Sequence, residues 1–174
     1  MKLAVTVLGG KNEGLIAEIL AILSVCQVEV LELRSSGLTK ISAIYLLLEG
    51  NWNQIAKLEA MLTVFAERFE LELSLLRPAL IEQDQTGVPY LLETISADKK
   101  DLLFAVSSFL LERGVLIEDI QATRQQAAYF SHSVFTTKFV LLVPANVRVL
   151  SLREEFLDFC DDLNIDAILE PIKR

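Results

Sequence analysis

The sequence repeats one strand–turn–helix pattern at an interval of 87 residues. In the first copy, the apolar run 3–8 leads through the glycine-bearing turn 9–14 into an apolar helical pattern that begins at Leu15. In the second copy, the run 90–95 leads through residues 96–101 into another helical pattern. A helix start that follows such a turn leaves backbone N–H groups unpaired at the positive end of the helix. Each copy is therefore a candidate junction for binding an anionic group.

The hydrophobic periodicity predicts the order β-α-β-β-α-β in each half of the chain. The predicted strands are 3–8, 27–35, 40–48 and 69–75 in the first half, and 90–95, 115–121, 134–143 and 165–169 in the second. Two helix starts fit the capping-box pattern, Asn51 with Gln54 and Ser151 with Glu154. The predicted fold class is α+β, with two ferredoxin-like βαββαβ units whose antiparallel sheets carry helices on one face.

A polar, turn-rich segment separates the two halves. It contains Gln83, Asp84, Gln85, Thr86 and Gly87, and Pro78 ends the preceding unit. We therefore place the first domain at 1–78, a linker at 79–88 and the second domain at 89–174.

The charge of the chain argues against nucleic acid as a direct partner. The net charge is −8, and no cluster of Lys or Arg is larger than the pair Lys99 and Lys100. A nucleic-acid-binding domain needs a basic surface to displace the counterions of phosphates. No apolar run reaches the ~18 residues of a membrane span, and the N-terminus has no signal-peptide pattern. We expect a cytoplasmic protein that binds neither nucleic acid nor membrane.

No pattern of catalytic residues is present, so we expect no enzyme activity, no cofactor and no metal. His132, the one histidine, is interpreted as a solvated loop residue. Cys26 and Cys160 lack metal-site spacing and predict buried free thiols, with a disulfide or metal pair as the alternative. The last helix carries an acidic stretch that predicts a solvated face, with docking of a basic partner as the alternative. Its acids are Glu154, Glu155, Asp158, Asp161 and Asp162.

The tandem arrangement resembles the ACT domain, a small regulatory βαββαβ module, and is similar to the glycine cleavage system transcriptional repressor family. The resemblance is carried by the stretches 50–53, 117–119, 152–156, 160–166 and 169–172. It implies an accessory regulator that binds an activator protein of the LysR type and holds it inactive until glycine is abundant. The alternative is a structural or protein-interaction ACT module without a small-molecule ligand. Homo-oligomer formation is left open.

The ligand loop of such domains resembles Gly-x-Asp-Arg-Pro-Gly. The first loop keeps both glycines, with Lys11, Asn12 and Glu13 between them, and the second keeps Asp98 and a basic residue at Lys99. The resemblance therefore implies a site that binds glycine or another small amino acid. Its candidate residues are Gly10, Lys11, Asn12, Glu13, Gly14, Leu15, Asp98 and Lys99.

The two loops are not equivalent, and we expect the first to carry the binding. Gly14 leaves the backbone open to close approach, and Asn12 can offer an amide to either charged group of an amino acid. The second loop has Asp101 in place of the last glycine, where its carboxylate suits a helix N-terminus but repels a ligand carboxylate. The alternative interpretation of the first loop is an ordinary βα turn whose glycines tolerate positive φ, and that of Asp98 is a helix N-cap.

Overall fold

The computed structural model describes residues 1–38, 40–78, 86–97, 101–126 and 133–172. The chain divides into two compact units, Met1–Glu82 and Gln83–Arg174. The finer domain limits stay predictions, because residues 79–85 of the predicted linker lie outside the described residues.

The first unit has the predicted order β-α-β-β-α-β. Its elements are β1 (Lys2–Gly10), α1 (Leu15–Cys26), β2 (Glu29–Leu38), β3 (Ile41–Glu49), α2 (Trp52–Arg68) and β4 (Glu72–Leu76). The strands form one sheet in the order β2-β3-β1-β4, and every neighbouring pair is antiparallel. β1 is an inner strand, as its apolar and β-branched residues predict.

The second unit repeats this topology. Its elements are β5 (Val88–Ala97), α3 (Leu102–Glu112), β6 (Leu116–Gln126), β7 (Ser133–Val143), α4 (Val149–Leu163) and β8 (Asp166–Pro171). The sheet order is β6-β7-β5-β8, again antiparallel throughout. The fold class predicted from the sequence is confirmed in both units.

Each unit has its own hydrophobic core on one face of its sheet. Along β1, Leu3, Val5 and Val7 are buried, whereas Thr6 and Leu8 on the opposite face are exposed. This alternation follows from the two-residue period of a strand. The helix residues that complete the first core are Leu15, Ile19, Leu23 and Cys26 of α1 and Ile55, Leu58 and Leu62 of α2. Both helices therefore cover the same face, as predicted.

The core of the second unit differs in being partly aromatic and partly polar. Phe109 of α3 packs against Phe156 and Phe159 of α4, with ring centroids 5.3 and 4.7 Å apart. Thr94, Ser96 and Thr137 are the buried polar residues of the described chain. Buried polar groups are costly unless they are hydrogen-bonded, so these three positions need a specific explanation.

One capping prediction is confirmed and the other is wrong. Asn51 and Gln54 form a reciprocal capping box at the start of α2, with N···O distances of 2.9 and 2.8 Å. Ser151 does not cap α4, because that helix already begins at Val149 with Arg148 as its N-cap. The carbonyl of Arg148 accepts the N–H of Leu152 at 3.0 Å. Ser151 therefore lies inside the first turn.

The predictions about the cysteines, a metal site, a membrane span and His132 have different outcomes. Cys26 and Cys160 are buried free thiols, as predicted. Within the described ranges, no group of His, Cys, Asp and Glu side chains has the arrangement of a metal site. No helix in the same ranges is long and apolar enough to cross a membrane. His132 lies outside the described residues.

Candidate ligand-binding site

The first junction is a tight turn held by backbone and amide hydrogen bonds. The N–H of Lys11 donates to the carbonyl of Lys40 at 3.0 Å, which ties the end of β1 to the start of β3. The N–H of Gly14 donates to Oδ1 of Asn12 at 3.0 Å, and the N–H of Leu15 donates to the carbonyl of Asn12 at 3.3 Å. Asn12 therefore organises the turn from which α1 starts.

The first turn of α1 offers two unused donors. The N–H groups of Ile16 and Ala17 have no acceptor in the part of the chain that the structure describes. Unpaired N–H groups at a helix start carry the positive end of the helix dipole and attract carboxylates and phosphates. Leu15 is buried and anchors this turn, whereas Ala17 is exposed. The donors are therefore fixed in position at the protein surface.

Gly14 has no side chain, so this surface is open. Its backbone conformation, however, is not one that requires glycine. Its φ is −90° and its ψ is −11°, which any residue can adopt. A Cβ at this position would lie 3.6 Å from Oδ1 of Asn12 and 3.9 Å from Oε1 of Glu18, which are ordinary contacts. The positive φ that turn glycines tolerate is therefore not used at Gly14, and the choice between an ordinary turn and a ligand loop stays a prediction.

Gly9 is present for a packing reason. A Cβ on Gly9 would collide with Cδ2 of Leu71, so a side chain there would require the Leu71 side chain to move. Gly10 has no atom near the position of its own Cβ. The space beside Gly9 is therefore filled by Leu71, whereas Gly10 and Gly14 leave space that could admit a ligand.

Three side chains of the predicted set lie at the surface beside these donors. Lys11, Asn12 and Glu13 are all exposed, so they can reach a ligand. Glu18 is a further acidic residue of the first turn of α1, and the sequence prediction omitted it. Its carboxylate lies near Gly14, as the 3.9 Å distance above shows. An acid four residues after Gly14 on a helix is the signal that could have identified it.

The second junction is built differently. Asp98 and Lys99 lie outside the described residues, so their predicted role is not tested. The N-cap of α3 is Asp101 rather than Asp98, and the side chain of Asp101 makes no capping hydrogen bond. Its φ is +65°, in the left-handed region that costs a non-glycine residue roughly 1 kcal/mol. The expected capping by the Asp101 carboxylate is therefore wrong.

The sequence of the first unit is similar to a known domain family. Residues 2–75 match the family model described as the ACT domain. No curated protein matches the sequence.

Solved structures match the whole chain. The structure of a protein named "putative glycine cleavage system transcriptional repressor" superposes with a TM-score of 0.73 at 19% identity, covering 99% of this chain and 98% of that one. An unknown protein from Galdieria sulphuraria superposes with a TM-score of 0.76 at 16% identity and the same coverage. At this level of identity the likeness establishes the fold, and the resemblance predicted from the sequence is confirmed in that respect. The first unit matches the ACT-domain family model by sequence, and the second unit repeats the topology of the first.

Proposed function

We propose that this chain is a tandem ACT-domain protein and a non-catalytic regulator that senses glycine or another small amino acid at the first junction. The observation that carries the proposal is the pair of unused N–H donors, on Ile16 and Ala17, beside the open backbone at Gly14. A free amino acid is a zwitterion, so its site needs donors for a carboxylate and an acceptor for an ammonium group. Both are present at this junction.

The roles of the individual groups follow from their chemistry. The ligand carboxylate accepts from the N–H groups of Ile16 and Ala17 at the positive end of α1. The ammonium group is taken by the carboxylate of Glu18 or Glu13, since Oδ1 of Asn12 is already engaged by the N–H of Gly14. A small ligand fits best, because approach to this backbone depends on the absence of a side chain at Gly14.

The regulator is proposed to act by binding another protein, and we call this binding its output. A net charge of −8 disfavours direct contact with DNA, and it is compatible with a DNA-binding partner that carries positive charge. We propose that this partner is an activator of the LysR type and that the pair controls the glycine cleavage system. The support is the shared fold with the protein named as a repressor of that system.

The second candidate is a protein-interaction ACT module without a small-molecule ligand. It is favoured by the occupied Oδ1 of Asn12, because one of the atoms expected to contact a ligand already accepts a hydrogen bond within the turn. The departure of Lys11, Asn12 and Glu13 from the pattern of the resembling domains favours the same alternative.

Thermal unfolding in the presence of amino acids separates the two candidate functions. Thermal unfolding with a panel of amino acids should show a raised Tm for glycine or a close analogue, because a ligand that binds only the folded state stabilises it. An unchanged Tm for every amino acid supports the second candidate.

The output is tested on a promoter fragment of the glycine cleavage system with a purified LysR-type activator. The protein alone should leave the fragment unshifted in a native gel at physiological salt. Added to the activator–DNA complex, it should change the mobility or amount of that complex, and glycine should reverse the change. A salt-dependent shift by the protein alone contradicts the proposed output, and so does the absence of any effect on the complex.

A further inference from the structure

A groove in the second unit has features that the proposed ligand site does not use. It runs between α3 and α4 and has a volume of about 500 Å³. We call it the α3–α4 groove. Its lining includes Phe109 and Glu112 from α3, Arg113 just after α3, and Asp158, Phe159 and Asp162 from α4.

Aromatic rings line the groove. The centroids of Phe109 and Phe159 are 4.7 Å apart, with 34° between the ring planes. Phe109 is 7% exposed and belongs to the core, so its ring is held by packing, and Phe159 packs against the same core. Fixed aromatic faces attract cations, and a guanidinium group most readily among protein side chains.

The groove already receives one guanidinium group of the chain itself. The Cζ atom of Arg113 lies 3.6 Å from the centroid of the Phe109 ring. The Nε of Arg113 donates to Oε2 of Glu155 at 2.7 Å, and its Nη1 donates to the carbonyl of Phe109 at 3.1 Å. The intramolecular contact shows which chemistry these walls accept: a planar cation stacked on an aromatic ring and bonded to a carboxylate.

Negative charge remains after this pairing. The groove is lined by four carboxylates, on Glu112, Glu155, Asp158 and Asp162, and by one cationic side chain, Arg113. Glu155 is paired with Arg113. Among the described residues, the other three carboxylates have no ion-pair partner. The groove therefore favours a further cation.

The first unit provides an internal control for the origin of this charge. Leu75 of β4 pairs with Val5, and Leu169 of β8 pairs with Leu92, at the same place in the two sheets. The last helix and strand of the second unit thus follow those of the first at an interval of 94 residues.

This interval identifies the equivalent residues of α2 and α4. Glu155, Asp158, Phe159 and Asp162 correspond to Met61, Val64, Phe65 and Arg68, which themselves line a surface hollow on α2. The aromatic residue is common to both units, whereas the three acids replace two apolar residues and a base. Packing of this helix on the sheet therefore does not require the acids.

We propose that the α3–α4 groove is a docking site for an arginine-bearing basic segment of a partner protein. An arginine of the partner stacks on the exposed part of Phe159 and donates to the carboxylates of Asp158 and Asp162. A second copy of this chain is the less suitable occupant, because two molecules of charge −8 repel each other. The inference rests on the proposed function only in requiring a protein partner, and it adds where that partner docks and through which chemistry.

The test uses the full chain and a fluorescein-labelled hexapeptide that contains three arginines, at physiological salt. Two matched peptides replace the arginines by lysine or by uncharged citrulline. Fluorescence anisotropy should give the affinity order arginine, then lysine, then citrulline, because stacking and paired N–H donation favour the guanidinium group. Equal affinities for the three peptides overturn the proposal, and so does the absence of binding by the arginine peptide.

Two double variants of equal charge separate the groove from the overall charge of the protein. Asp158→Asn with Asp162→Asn removes two acids that line the groove, and Glu154→Gln with Asp161→Asn removes two exposed acids of the same helix outside it. The first pair of substitutions should lower the affinity for the arginine peptide by about tenfold, and the second pair should lower it by less than about twofold. Equal weakening by both pairs means attraction by net charge alone and overturns the proposal.

Two further readouts complete the test. Phe159→Leu should lower the affinity for the arginine peptide towards that for the lysine peptide, with circular dichroism confirming the fold. If sedimentation shows a dimer that only the groove variant dissociates, the occupant is a second copy and the proposal is wrong. Because the probe is a synthetic peptide, its failure leaves the amino-acid response and the effect on the activator–DNA complex untouched, and their failure leaves the groove untouched.

Discussion

The hydroxyl groups of Thr94 and Thr137 lie 2.6 Å apart and form a hydrogen bond inside the core of the second unit. Both residues are almost completely buried, at 1% and 3% exposure. They are directly paired across β5 and β7. In the first unit, the equivalent pair across β1 and β3 is Val7 and Ile44. The same place in the fold thus accepts either an apolar pair or a hydrogen-bonded one.

This pairing predicts strongly non-additive effects of mutation. Thr94→Val or Thr137→Val alone leaves one buried hydroxyl without a partner and should lower the free energy of unfolding by about 1–2 kcal/mol. The double variant replaces both partners by apolar groups of the same shape and should be close to wild type. Urea denaturation of all four proteins measures the coupling. A double variant that loses the sum of the single losses contradicts this explanation.

Ser96 presents the opposite case, a buried hydroxyl without a hydrogen-bond partner among the described residues. Ser96→Ala should raise the free energy of unfolding by about 1 kcal/mol, because the desolvated hydroxyl is removed and no bond is lost. Ser74→Ala, at an exposed position of β4, is the matched control and should stay within about 0.5 kcal/mol of wild type. A loss of stability in Ser96→Ala would show that the hydroxyl has a partner.

The capping box at α2 gives a third prediction. Asn51→Ala removes the acceptor for the N–H of Gln54 and should lower the free energy of unfolding by about 1 kcal/mol. Asn53→Ala changes an exposed asparagine two residues later in the same helix and should be neutral or slightly stabilising, since alanine favours helix. Equal losses in the two variants in urea denaturation are inconsistent with a cap.

The buried thiol of Cys160 predicts that the free energy of unfolding falls at alkaline pH. Burial, followed by the nearby charge of Asp161, raises the pKa of the Cys160 thiol to about 11, compared with about 8.5 in an unfolded chain. The folded state therefore holds its proton more tightly than the unfolded state. The resulting stabilisation is fully present below pH ~8.5 and is lost as pH rises towards ~11, with a total of about 3 kcal/mol.

The comparison of wild type with Cys160→Ala isolates this contribution from other groups that titrate at alkaline pH. The free energy of unfolding of the variant should fall less steeply with pH above about 8.5. Parallel curves for the two proteins would falsify the assignment. Alkylation by iodoacetamide at neutral pH should modify Cys160 only after unfolding, because the thiolate is the reactive form.

Local patterns were sufficient to predict the order of elements and the position of β1. The alternation of Leu3, Val5 and Val7 with smaller or polar residues depends on a two-residue period, which short-range sequence shows directly. The capping box of Asn51 and Gln54 is equally local. The box expected at Ser151 failed because the preceding turn already starts α4 at Val149, and nothing in the box pattern contains that information.

The candidate sites depend on contacts between distant residues, which periodicity does not reveal. The acids of α4 are exposed, as predicted for a solvated face, but the sequence did not predict that Asp158 and Asp162 share one groove with Phe109 and Arg113 from the α3 side. The φ of Asp101 and that of Gly14 have opposite signs, although the two residues occupy equivalent positions in the repeat. The sequence predicted that the two junctions differ, because one has a glycine where the other has an acid, but it did not predict that their backbone conformations differ.

The central claim is that the first junction binds a small amino acid, and calorimetric titration of glycine tests it most directly. Wild type should release binding heat, and Gly14→Val should abolish it while circular dichroism shows an intact fold, because a Cβ fits there but fills the approach to the N–H groups of Ile16 and Ala17. Asp101→Gly changes the equivalent residue of the second junction and should leave the affinity unchanged or higher. Unchanged binding by Gly14→Val, or loss of binding only in Asp101→Gly, contradicts the account.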